Sequence, residues 1–197
     1  VLRFWPEYEL IKELYDSGRY GKLLSGYMGR LNGYPKWSWD DWMLDEARSG
    51  LIPFDLHIHD LDFCVYAFGA PTDVQEKRVK LPKQDYISAV YQFPGFFITT
   101  ESSWYSAPYP FTASFRFLFE KALVAWEGGK CLIYQNDGQI LDLSTESLND
   151  TGDIDLPQTN AYAEEIRYFK DCVKEGRFPD KVKPEELKQV LHILNAL

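Results

Sequence analysis

No basic cluster, no long apolar run and no glycine-rich phosphate fingerprint occurs in this sequence of 197 residues, and histidine and cysteine number only three each. Each absence removes a class of function. A net charge of −9 without a Lys/Arg patch argues against a free-standing nucleic-acid binder. The one basic stretch, "QEKRVKLPK" (75–83), reads as solvated strand edge and turn. The longest uncharged run, "YISAVYQFPGFFITT" (86–100), is broken by Gln, Pro and Gly and falls short of the ~20 apolar residues that span a bilayer. With no visible signal peptide, neither a membrane partner nor export is expected. Cys64, Cys131 and Cys172 are widely spaced in apolar surroundings, which suits reduced core thiols in a cytoplasmic protein. No Gly-x-Gly-x-x-Gly follows a strand, so nothing here cradles a pyrophosphate.

What is present is a core-former: 45% apolar and 16% aromatic residues, enough for one good-sized domain over 1–197. The start, "VLRFWPEY", lacks methionine and enters in mid-pattern, so a fragment of a longer chain is expected. Pro6 to Gly18 reads as a helix with Tyr8, Ile11 and Tyr15 on one face, and "KLLSGYMGRL" as a strand. A tryptophan-dense loop and a short helical "LDEARSG" follow. From about 73 to 143 strands alternate with the turn signals "PG", "EGGK" and "QNDGQ". Two helices close the chain, one carrying Tyr162, Ile166, Phe169 and Val173, the other Leu187, Val190, Leu191 and Leu194. The order gives an α+β fold: a broad, largely antiparallel β-sheet with helices packed on one face. The aromatic strands "VYQFPGFFI", "FRFLF" and "LVAW" carry more rings than one helix layer is expected to cover, so the other face is expected in a subunit interface of a homo-oligomer.

Two of the three histidines and three carboxylates fall in "FDLHIHDLDF" (54–63). Phe54, Ile58, Leu61, Val65 and Phe68 form the stripe of a core-packed helix that Gly69 and Pro71 end. Asp55, His59 and Asp62 form a second stripe beside it. A metal is disfavoured: on a helix His57 and His59 point about 200° apart, and only His192 remains to complete a ligand set. Two readings stay open. One is a hydrogen-bonded polar helix face. The other is an acid/base pair, His59 moving a proton and Asp55 orienting it or a substrate hydroxyl. "PKWSWDDW", just upstream, supplies Trp39 and Asp40 as expected substrate contacts, the aromatic and polar groups that line small-molecule pockets.

These residues carry a family resemblance. Phe4 with Pro6, Ser17-Gly18 with Gly21, Trp42 with Asp45, the series Asp55, His59 and Asp62, and Gly69 with Pro71 resemble the second domain of the glucose-fructose oxidoreductase / inositol dehydrogenase (Gfo/Idh/MocA) family. The closing helices (158–197) are similar too, while the strand region matches only in architecture. The resemblance implies an NAD- or NADP-dependent oxidoreductase acting on a sugar, polyol or related small molecule by hydride transfer. His59 then matches the family's proton-carrying histidine and Asp55 its companion carboxylate. The cofactor-binding residues would lie in a first domain that this chain lacks, so the 197 residues alone are expected to be inactive. Two departures stand out. "SGLIPFD" carries Leu51 and Pro53 where the family has several glycines, and His57, an expected substrate contact or local packing residue, stands where the family has a small one. The alternative is a non-catalytic binding or assembly protein that keeps the scaffold.

Overall fold

The computed structural model describes residues 1–144 and 160–196. Residues 158, 159 and 197, the ends of the closing stretch, lie outside the described residues. Helix α1 (Pro6–Ser17) begins on a proline, carries Glu7 and Glu9 in its first turn and stops at Gly18 in the left-handed region, with φ 62°. It buries Tyr8, Ile11 and Leu14. Strand β1 (Leu23–Gly33) follows, then a loop and the short helix α2 (Glu46–Ser49), capped by the Asp45 carboxylate on Ala47 N at 2.9 Å. Helix α3 (Ile58–Phe68) is entered through a π-helical turn, Pro53–His57. A meander of β2 (Asp73–Leu81), β3 (Gln84–Phe93) and β4 (Phe96–Tyr105) leads to β5 (Thr112–Phe119), β6 (Ala122–Glu127), β7 (Lys130–Gln135) and β8 (Ile140–Asp142). Helices α4 (Ala161–Glu175) and α5 (Pro184–Leu194) end the chain.

All eight strands form one sheet in the order β2-β3-β4-β1-β5-β6-β7-β8. Only β1 with β4 is parallel, because the chain leaves β1 through the helices and returns by the far edge. The α+β expectation holds. The first strand thereby becomes the middle of the sheet, directly beneath α1 and α3.

The aromatic strands do something other than expected. Phe93, Phe96, Phe115, Phe117, Phe119 and Trp126 all join the core under the helices. Tyr8 bridges the layers, its ring 5.0 Å from Phe63 and 5.2 Å from Phe115. One helix layer therefore covers most of the strand aromatics, and the open face keeps a smaller apolar set that includes Phe97, Leu118 and Tyr134. Tyr27 on that face is already occupied: it donates to Glu101 at 2.9 Å and lies under the Arg116 guanidinium.

The closing helices divide. Val190 and Leu194 of α5 are buried. On α4 the apolar stripe faces outward, with Ile166 70% and Phe169 59% exposed, and burial falls to Ala161 and Cys172. All three cysteines are buried and unbridged. Among the described residues no helix is long and apolar enough to cross a membrane.

Candidate functional site

The π-helical turn decides which way the polar side chains of "FDLHIHDLDF" point. A π turn takes in more residues than an α turn, so the stripe drawn from Phe54 onward does not run straight into α3. Phe54 is exposed and Ile58 only half-buried, while Leu61 and Val65 lie in the core. His57 and Asp60 turn fully inward beside them. The entry is fixed from both sides. Leu51 adopts φ 60°, a conformation costly for a non-glycine residue. Ile52 N donates to Asp85, whose carboxylate also takes both arms of Arg78, at 2.9 and 2.7 Å.

His57, expected as a substrate contact, has no solvent-exposed surface and sits between α3 and the sheet. Its Nε2 lies 2.6 Å from the Tyr91 hydroxyl and its Nδ1 3.4 Å from Ser102 Oγ. A neutral ring suits this: the hydroxyl donates to Nε2, and Nδ1–H is left for Ser102. Burial pushes its pKa down to about 4.

His59 points the other way. It is half-buried and lines a groove of about 340 Å³ with Arg3, Phe4 and Asp62 on one side and Leu187, Val190 and Leu191 of α5 on the other. Burial first, then the Arg30 charge and the amino terminus, lower its pKa to about 3. At neutral pH the ring is an unprotonated base.

Asp55 belongs to the π-helical turn, and Trp104 Nε1 on β4 donates to its Oδ2 at 3.1 Å. Burial raises its carboxyl to about 6, against the pull of that bond and of Arg30. Asp55 and His59 therefore share one helical stretch but not one cavity wall: the groove beside His59 does not include Asp55. Asp62 is occupied, held by Arg3 Nε and Nη2 at 2.9 and 2.7 Å, and Arg3 also reaches Glu186 on α5 and the Lys181 carbonyl. Trp39 (81% exposed) and Asp40 lie on the loop before α2, where Asp40 pairs only with Arg48 at 3.2 Å; among the described residues neither is bonded to Asp55 or His59.

Sequence reasoning missed Trp104 and a buried cluster: Arg30 of β1 donates through Nη2 to Asp60 at 2.9 Å and to the Tyr8 hydroxyl at 3.0 Å. The available signal was Arg30 itself, a charge on the core-facing row of a strand. Among the described residues no three His, Cys, Asp or Glu side chains converge to hold a metal ion. Nor does any described helix follow a strand through a glycine-rich turn, so the described residues do not fit the pyrophosphate of a dinucleotide.

The sequence profile of the GFO/IDH/MocA C-terminal domain matches residues 8–125. No curated protein matches the sequence. Among solved structures, the fold is similar to an oxidoreductase from Agrobacterium radiobacter in complex with NAD+, L-tartaric acid and magnesium (TM-score 0.77, 17% identity, 95% of this chain and 57% of that one). It is also similar to levoglucosan dehydrogenase in complex with NADH and levoglucosan (TM-score 0.72, 16% identity, 96% and 58%). A third is UDP-N-acetylglucosamine 3-dehydrogenase from Acidithiobacillus ferrooxidans (TM-score 0.68, 18% identity, 97% and 58%). The chain spans less than two thirds of the length of these relatives.

Proposed function

Because this chain belongs to the GFO/IDH/MocA C-terminal domain family, we propose that it forms the substrate-binding and oligomerisation part of an NAD(P)-dependent oxidoreductase acting on a sugar, polyol or related small molecule. The observation that carries the reading is the neutral, half-buried His59 on α3 with Asp55 one helical turn before it. A neutral imidazole takes the hydroxyl proton as a carbinol is oxidised and returns it in the reverse direction. Asp55, anchored by Trp104, positions a substrate hydroxyl from its own side of this stretch. Trp39 and Asp40 supply outer substrate contacts from the exposed loop. The nicotinamide cofactor, which exchanges the hydride, is held by a nucleotide domain outside these residues.

Two measurements test the division of labour. Calorimetric titration of the 197-residue chain with NADH should give no micromolar binding, since nothing described here grips a pyrophosphate. A micromolar Kd would move the nucleotide site into this chain and overturn the reading. The second concerns assembly. The open sheet face, with Phe97, Leu118 and Tyr134 exposed, supports a homo-oligomer packed sheet to sheet. Sedimentation at micromolar concentration should give a dimer or larger, and Leu118→Lys should shift it toward monomer. A wild-type monomer under the same conditions rejects the interface.

A further inference from the structure

The helix-facing row of β1 runs Gly26, Met28, Arg30, and a charge there breaks an otherwise small or apolar pattern. Arg30 is almost fully buried, and its bonds to Asp60 and Tyr8 leave Arg30 Nε and Asp60 Oδ2 without hydrogen-bond partners. Buried ion pairs, still more incompletely satisfied ones, add little stability over apolar residues of equal volume. Packing alone does not account for this one.

Its location suggests what does. Asp60 directly follows His59, so tying Asp60 to β1 fixes the rotation of α3 about its axis. The neighbouring side chain then points about 100° away from the anchor, toward the groove.

We propose that Arg30, held by Asp60 and Tyr8, is a positioning residue for His59 and Asp55: it locks the first turn of α3 to the sheet and sets the charge both side chains feel. Its catalytic meaning rests on the proton-carrying role of His59; the coupling itself is measured without turnover.

Other charges face His59 as well. Asp62 comes from its own helix, the Val1 amine and Arg3 from the N-terminal segment, and Glu165 from α4, while α5 offers leucine and valine to the groove. Arg3 is neutralised by Asp62 and Glu186, and the Val1 amine faces Glu165 at 3.6 Å. Arg30 differs because it and Asp60 both lie out of reach of solvent, so its charge is the least screened by water. Arg30 acts on both His59 and Asp55.

The test is a site-specific NMR titration of the 197-residue chain, reading the His59 ring nitrogens and the Asp55 carboxyl carbon, with circular dichroism to verify folding. Arg30→Met should raise the proton affinity of both groups about tenfold, the order of effect one buried charge has through a poorly screened interior. Asp60→Asn leaves the guanidinium without its carboxylate and should lower the proton affinity of Asp55. Opposite movement in the two variants is a signature that general loosening of the fold does not produce. If a folded Arg30→Met titrates like the parent, or both variants move Asp55 the same way, the proposal is wrong. Should Arg30→Met fail to fold, Asp60→Asn decides alone: a fall for Asp55 supports the proposal, and no change or a rise overturns it. A His59 without effect on turnover would remove the functional reading yet leave this coupling standing, so the two failures are distinguishable.

Discussion

His59→Ala should lower turnover of the proposed full-length oxidoreductase by roughly 10²–10⁴-fold, the usual contribution of a general acid–base group, with little change in cofactor affinity. The effect falls on kcat because a proton carrier acts only in the chemical step. Burial, the main cause, holds its pKa well below the ordinary histidine value, which keeps the ring an acceptor in the neutral range, so its protonation should not limit turnover between pH 6 and 8. Asp55 titrates inside that window, at about 6. Turnover should therefore decline as pH falls below 6, where the carboxylate that positions the hydroxyl takes up a proton. Asp55→Asn should remove that acid limb and raise KM as well as lower kcat. Steady-state kinetics over pH 5–8 with the three proteins decides the matter. A His59→Ala variant within threefold of wild type would leave α3 with only a polar helix face.

How much of this was legible beforehand differs by element. The strand meander was, because two-residue alternation and tight turns are local: "PG", "EGGK" and "QNDGQ" fall in or beside the observed hairpins. Alternation also groups Phe93, Phe115, Phe117 and Trp126 by face within their strands. It does not say which face the helices cover, or that one helix layer takes all four of these rings into the domain's own core. The sheet order was out of reach for a related reason. β1 precedes the helices yet pairs with β4 and β5, a long-range choice that no local pattern records.

The site was half legible. The spacing of Asp55 and His59 marked both residues, but an α-helical wheel was extended through a stretch that is π-helical up to His57. The extra residue in that turn separates Asp55, bonded to Trp104, from His59 in the groove. Arg30 stands out on its strand and Tyr8 on its helix face, but that they meet Asp60 is set only by the packing of three elements, which no local pattern records. The outward stripe of α4 shows the reverse case: the periodicity was read correctly and the helix formed, yet the domain does not cover the face.

His57→Ala should destabilise the chain by about 3 kcal/mol at pH 7.5, through a core cavity and the loss of partners for Tyr91 and Ser102. This is a larger effect on stability than either His59→Ala or Asp55→Asn should have, and it inverts the expectation of a substrate contact. The dependence on pH is the sharper test. In the folded chain the ring titrates at about 4, below the 6.5 of an ordinary histidine. Between those values the unfolded chain binds the proton and the folded one does not, so stability rises with pH across the window. The contribution is fully present above about 6.5 and is lost as pH falls to about 4, a span worth about 3 kcal/mol. The alanine variant cannot titrate there. Its deficit relative to wild type should therefore shrink by about 2 kcal/mol between pH 7.5 and pH 4.5, read from urea unfolding at both values. His57→Gln, which keeps a hydrogen-bonding group but no titration, should recover part of the stability at pH 7.5 and share the flattened pH dependence. A deficit below 1 kcal/mol, or one independent of pH, would mean that the ring is not held neutral in the core and would reopen its role at the substrate.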